Sequence, residues 1–142
     1  MGNPVVHFEI GGKNAKKLND FYAKNFGWKI DANNPMKYGV VATGSDKGIP
    51  GGISPPPPSG PRTWVTVYIS VPKIDPVLAK IGKSGGKVVM PRTVLPGMVT
   101  LAQFLDPEGN LVGLVEDAMP PAAAPEKPAA KRRAKKASKK RR

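Results

Sequence analysis

Two stretches of this chain run through the same order of elements, and that order restricts the fold more than any other feature. Residues 4–54 read as strand, helix, glycine and three further strands, and residues 62–117 repeat the series with a period of about 60 residues. In the first unit, Pro4 to Ile10 alternates with period two, so Val6, Phe8 and Ile10 share one face and Val5, His7 and Glu9 the other. Gly11-Gly12 interrupts it, and Asn14 is placed to cap the helix that follows. Leu18, Phe21, Tyr22 and Phe26 recur at helical spacing until Gly27 supplies a C′ residue. Trp28 to Ile30, Lys37 to Thr43 and Gly51 to Ser54 complete the unit as strands, with Phe26 and Trp28 expected in the core at the helix–sheet junction.

The second unit opens on Thr63 to Val71. Val65, Val67, Ile69 and Val71 form one face, and Trp64, Thr66, Tyr68 and Ser70 the other. Asp75 is expected to cap a helix with Pro76 at its first position, turning Val77, Leu78 and Ile81 inward. Gly85-Gly86 ends that helix; Lys87 to Met90, Met98 to Leu105 and Asn110 to Glu116 follow as strands. The last two flank Asp106-Pro-Glu-Gly-Asn110, where Pro107 presets φ and Gly109 tolerates the turn, so the folded part closes on a β-hairpin. Between the units, Pro55 to Pro61 cannot join a ladder and reads as a stiff connector.

Two such units make an α+β domain over residues 1–118: paired βαβββ modules in a cupped mixed sheet, with the helices on its convex face. The helices are expected to cover Val6, Phe8 and Ile10 and Val65, Val67 and Ile69. The opposite, concave face is the more polar and is where a small ligand would sit.

Charge separates this domain from the remainder. Residues 1–118 hold 13 Lys/Arg and 9 Asp/Glu, net +4, whereas residues 119–142 hold 10 and 1, net +9. Met119 to Ala130 is a Pro/Ala linker, and the run after it is expected to be disordered alone. Its Lys131, Arg132, Arg133, Lys135, Lys136, Lys139, Lys140, Arg141 and Arg142 are candidate nucleic-acid contacts through counterion release, without sequence preference. No aromatic residue is interleaved to stack on bases.

With no cysteine, disulfides, thiolate catalysis and Cys-based zinc sites are excluded. No apolar run approaches the roughly 20 residues a membrane helix needs, and no secretory pattern opens the chain, so a cytoplasmic protein without membrane insertion is expected.

His7-Phe-Glu-Ile10, Phe21-Tyr22, Phe26-Gly27-Trp28 and Asp106-Pro-Glu-Gly-Asn-Leu111 together resemble the vicinal oxygen chelate superfamily, the glyoxalase, bleomycin-resistance and extradiol-dioxygenase group. The resemblance implies paired βαβββ modules, a site on the concave face and a homodimer. Its metal-dependent members draw His or Glu from the first and last strand of each module. Here His7 matches the first such position, Gly51-Gly52-Ile53 offers no ligand side chain, Thr66 takes the third, and Gly113 stands where the acidic ligand belongs. One imidazole falls short of the three or four donors of a catalytic metal site, so no metal or other cofactor is expected.

The candidate ligand-binding residues are therefore His7, Glu9, Trp64, Thr66, Tyr68 and Gly113, with His7 the candidate general base if catalysis is retained. Gly113 either leaves room for a ligand or allows curvature. The expected function is metal-free binding of a small organic ligand. The alternatives are a divergent lyase or oxygenase using His7, and a nucleic-acid-associated sensor or dimerising platform.

Overall fold

The structure, a computed structural model, describes residues 2–116; the basic stretch from Lys131 to Arg142 lies outside them. The first unit comprises β1 (Val5–Gly11), α1 (Ala15–Phe26), β2 (Lys29–Asp31), β3 (Gly39–Ala42) and β4 (Gly51–Ser54). The second comprises β5 (Trp64–Val71), α2 (Ile74–Lys83), β6 (Lys87–Leu95), β7 (Val99–Leu105) and β8 (Leu111–Glu116). All eight strands form one open mixed sheet in the order β2-β3-β4-β1-β5-β8-β7-β6. Within each unit the first and last strands are parallel neighbours, and β1 and β5 meet antiparallel at the centre. The repeat in the sequence is thus a repeat in space, as an α+β fold of two βαβββ units.

Local chemistry explains the ends of the elements. Asn14 Oδ1 accepts from the Lys17 N–H at 3.0 Å, and Gly27, at φ 70°, closes α1 by donating to the Ala23 carbonyl. In the β7–β8 turn the Asp106 carboxylate accepts from the backbone N–H of Glu108 and Asn110 and from Asn110 Nδ2, while Gly109 takes φ 90°. The expected cap of α2 is corrected. Asp75 lies inside the first turn, Lys73 precedes the helix without a side-chain cap, and the Ile74 N–H instead donates to Glu116 Oε2 at 2.9 Å. A carboxylate 42 residues downstream therefore does the work that sequence reasoning assigned to a neighbour.

Both helices lie on the sheet face defined by Phe8, Ile10 and Ile53 in one unit and Val71 and Leu114 in the other. The second unit holds the larger core, in which Ile74 and Leu78 of α2 bury against Val71, Ala102, Phe104 and Leu114. In the first unit Val41 and Ile53 are buried, and Tyr22 stacks on Trp28 at 5.2 Å beside Phe8. The expected helix cover is too generous elsewhere. Val65 is 75% exposed, Val67 is exposed as well, and so are Phe21 and Phe26 of α1. The helices sit over their own units, α2 towards the Ile69–Val71 end of β5, which leaves the middle of the central strand pair uncovered on that side. Phe26 is consequently a surface residue and not core. Strand β6 also runs past Met90 through Pro91 to Leu95; as an edge strand, with register shifts on either side of Met90, it loses nothing essential to the missing proline N–H.

No helix among the described residues is long and apolar enough to cross a membrane.

Candidate functional site

The face without helices gathers most of the residues that the alternating pattern set apart. At the centre of the sheet His7 pairs with Tyr68, Glu9 with Thr66 and Gly11 with Trp64. All six side-chain positions point to the same side, because cross-strand partners of an antiparallel pair share a face. The pairing of β1 with β5 thus brings residues of both units onto one face.

Glu9 is the hub. Only 8% exposed, its carboxylate accepts from the Trp64 indole Nε1 at 2.8 Å and from the Tyr38 hydroxyl at 3.1 Å. The same hydroxyl lies 2.9 Å from His7 Nε2. A phenol has one proton, and the carboxylate is its stronger acceptor. His7 Nε2 must then carry a proton and donate to the Tyr38 oxygen, leaving Nδ1 as a lone-pair acceptor. Burial lowers the His7 pKa from its ordinary 6.5, so the imidazole is neutral at neutral pH. Burial, reinforced by the negative charge of Glu9, raises the Tyr38 hydroxyl far out of reach and pushes Tyr68 up to about 12. Both phenols remain protonated donors.

Gln103 on β7 donates through Nε2 to the Tyr68 hydroxyl at 2.9 Å. Thr66 is buried and turns its hydroxyl to the Leu111 carbonyl of β8, so its one proton is committed to the sheet. Tyr38 reaches the cluster from the β2–β3 loop, where Asn34 grips it at both ends: Oδ1 accepts from the Tyr38 N–H and Nδ2 donates to its carbonyl. Lys37, beside it, sits at φ 55°, the only non-glycine residue of positive φ among the described residues.

Two glycines decide what this face can hold. Glu9 lies next to Gly52 on β4, and Tyr68 lies next to Gly113 on β8, in equivalent positions of the two units. A Cβ on Gly52 would run into the Tyr38 ring, and one on Gly113 into the Tyr68 ring. Each last strand thus offers a bare backbone, and a tyrosine lies over it. Gly113 serves close aromatic approach, a third role beyond the ligand room or curvature that the sequence suggested.

Glu9 has both oxygens engaged, His7 offers one nitrogen, and the two strand ends where further donors would stand are glycines. Among the described residues no three His, Asp or Glu side chains come together. Glu116, the carboxylate of β8, faces α2 and is bound to Arg92 at 2.8 Å, away from the site. An apolar cleft lined by Val77, Ile81, Phe104 and Pro107 lies on the helix side and shares no residue with the cluster.

Of the six residues singled out from sequence, His7, Glu9, Trp64 and Tyr68 form the cluster, Gly113 lies under Tyr68, and Thr66 is turned to the backbone. Tyr38 stands between Glu9 and His7, bonded to both. Tyr38 and Gln103 were missed. Gln103 is detectable as the lone polar residue between Leu101 and Leu105 on one face of β7, whereas Tyr38 depends on a loop conformation that no local pattern encodes.

Known proteins share this architecture. A protein of Mycobacterium tuberculosis named "Putative glyoxylase CFP32" is 34% identical over 102 residues, covering 66% of this chain and 38% of its own length, and the Mycobacterium bovis protein of that name matches equally. The chain therefore spans well under half of these relatives. Among solved structures, a superfamily member from Vibrio splendidus superposes with a TM-score of 0.56 at 17% identity, covering 82% of this chain and all of the other. The Mn(II)-bound glyoxalase from Novosphingobium aromaticivorans gives 0.59 at 17% identity, covering 81% and 39%. Methylmalonyl-CoA epimerase from Mycobacterium tuberculosis gives 0.56 at 15%, covering 79% and 86%. At these identities the superpositions establish the fold alone. Residues 5–114 match the family described as the Glyoxalase/Bleomycin resistance protein/Dioxygenase superfamily, and the chain belongs to it.

Proposed function

We propose that the polar face is a metal-independent binding site for a small organic molecule, built on His7, Glu9, Trp64, Tyr68 and Gly113 with Tyr38 and Gln103. One observation carries this reading. The carboxylate that could begin a metal site instead accepts from the Tyr38 hydroxyl and the Trp64 indole, the imidazole donates to that same hydroxyl oxygen, and both strand ends that could complete the site are glycines under aromatic rings. Aromatic walls with a few fixed polar groups are what a small-molecule site needs. The test is metal analysis of the full-length protein together with thermal scans in manganese, nickel, zinc and chelator. The expected result is no stoichiometric metal and an unchanged transition. One metal per chain, with stability lost on chelation, overturns the reading.

A second reading rests on His7. Its neutral imidazole keeps Nδ1 free of any hydrogen bond among the described residues, which suits a general base. The names of the mycobacterial relatives and of the manganese-bound neighbour point to glyoxalase-type chemistry as the reaction to try. Turnover that disappears in His7→Gln, with the fold retained, supports a divergent lyase; no turnover leaves the binding site.

The basic run at residues 131–142 belongs to the proposal as a separate device. Nine Lys/Arg in the last 12 residues attract polyanions by charge alone and would hold the domain near nucleic acid without choosing its ligand.

A further inference from the structure

The charge in this site is unusual for its surroundings. The Glu9 carboxylate is more than nine-tenths buried, and among the described residues no Lys or Arg pairs with it. Its two recorded partners, the Tyr38 hydroxyl and the Trp64 indole, are neutral. Buried carboxylates are ordinarily matched by a cation, because hydrogen bonds from neutral groups compensate desolvation only in part. Among the described residues the two ion pairs, Lys16–Asp20 and Arg92–Glu116, lie elsewhere.

The rings around the carboxylate are arranged as walls. His7 lies nearly parallel to Tyr38 with centroids 6.4 Å apart and edge-on to Tyr68 at 5.7 Å. His7, Tyr38 and Trp64 are only partly buried, so what solvent meets on this face is largely aromatic. Both Tyr38 and Trp64 donate to the anion. A donor bonded to a carboxylate is polarised, and its ring face becomes more negative. A cation is attracted to an aromatic face within about 6 Å of the centroid, and more strongly where water is excluded.

From a buried carboxylate that no cation pairs with among the described residues, beneath aromatic rings that it polarises, we infer that the polar face takes an organic cation, of the quaternary or alkylated ammonium class. This deepens the small-molecule reading above and rests on it. A diffuse ammonium suits the site better than a metal ion, because it needs negative ring faces and a nearby charge instead of several lone pairs. The overall charge of +13 opposes approach only at long range. At physiological salt, charges beyond about 8 Å are largely screened, while Glu9 acts at contact distance.

The test uses full-length protein and three probes of one shape: choline, its neutral carbon isostere 3,3-dimethylbutan-1-ol, and the anion 3,3-dimethylbutanoate. His7 is the only histidine, so a single imidazole reports on the site by NMR, with the Trp64 indole N–H as a second reporter. Choline is expected to shift both signals saturably and at least about fivefold more tightly than the alcohol, the upper part of the range for a solvent-exposed cation–π contact. Glu9→Gln, which keeps an acceptor for Trp64, should bring choline down to the level of the alcohol. The comparison of probes on the unaltered protein stands even if that variant folds poorly. Equal or tighter binding of the alcohol or the anion overturns the cation inference and leaves the small-molecule site standing. No response from His7 to these probes or to a panel of neutral and anionic aromatics overturns both.

Discussion

His7 shows how much of a residue's chemistry is decided by its neighbours. As a lone histidine on an alternating strand it invites a metal-ligand or general-base reading. In the folded chain it is a neutral donor to Tyr38, with its pKa lowered by burial. The unfolded chain then takes up a proton near pH 6.5 that the native chain resists, so the contribution is fully present above 6.5 and is lost as pH falls towards the lower native value. Thermal scans between pH 7.5 and 5 should show stability falling with acid, and His7→Gln should flatten that slope; an unchanged slope would mean that the imidazole is not desolvated. Glu9, Trp64 and Tyr68 were legible at this scale because alternation in a strand fixes the face of a side chain whatever lies beside it. Tyr38 was not. Its place depends on the Asn34 clamp and the positive φ of Lys37, and a tyrosine before a strand otherwise looks like any other β-forming residue.

Among the elements, α2 and β8 are joined by one carboxylate. Glu116 accepts from the Ile74 N–H and from both Nε and Nη2 of Arg92, which lowers its pKa to about 2, with the Arg92 hydrogen bonds the largest cause. Stability from this contact is present above the ordinary 4.5 and is lost as pH falls from there towards 2. Glu116→Gln should remove that acid sensitivity, and Glu116→Ala should cost about 1 kcal/mol, the usual value of a helix N-cap, seen as a lower denaturant midpoint at neutral pH. An unchanged midpoint in Glu116→Ala would show that the cap contributes nothing. The pattern of elements was correct from end to end, since periodicity and glycine punctuation are local signals. Helix burial was less well read. Spacing shows which side of α1 is apolar, but Phe21 and Phe26 stay exposed because nothing in a helix records how far its sheet extends beneath it.

At the scale of the whole molecule, the ten elements of the described residues all end by Glu116. Removing residues 119–142 should leave the thermal transition in place and abolish binding to duplex DNA. For the intact chain the logarithm of affinity should fall with the logarithm of salt at a slope of up to about −8, as nine neutralised phosphates require. A truncated chain that still binds would move the contact into the domain. The sequence by itself determined two βαβββ units, their order and the side of the sheet on which His7, Glu9, Trp64 and Tyr68 project, because these follow from period, glycine position and residue chemistry. Only the tertiary structure decided that β1 and β5 of one chain pair, that Tyr38 joins Glu9 to His7, and that tyrosine rings occupy the space over the two glycines. Those facts depend on contacts between residues 14 to 64 positions apart, where no local pattern specifies the partner and packing alone selects it.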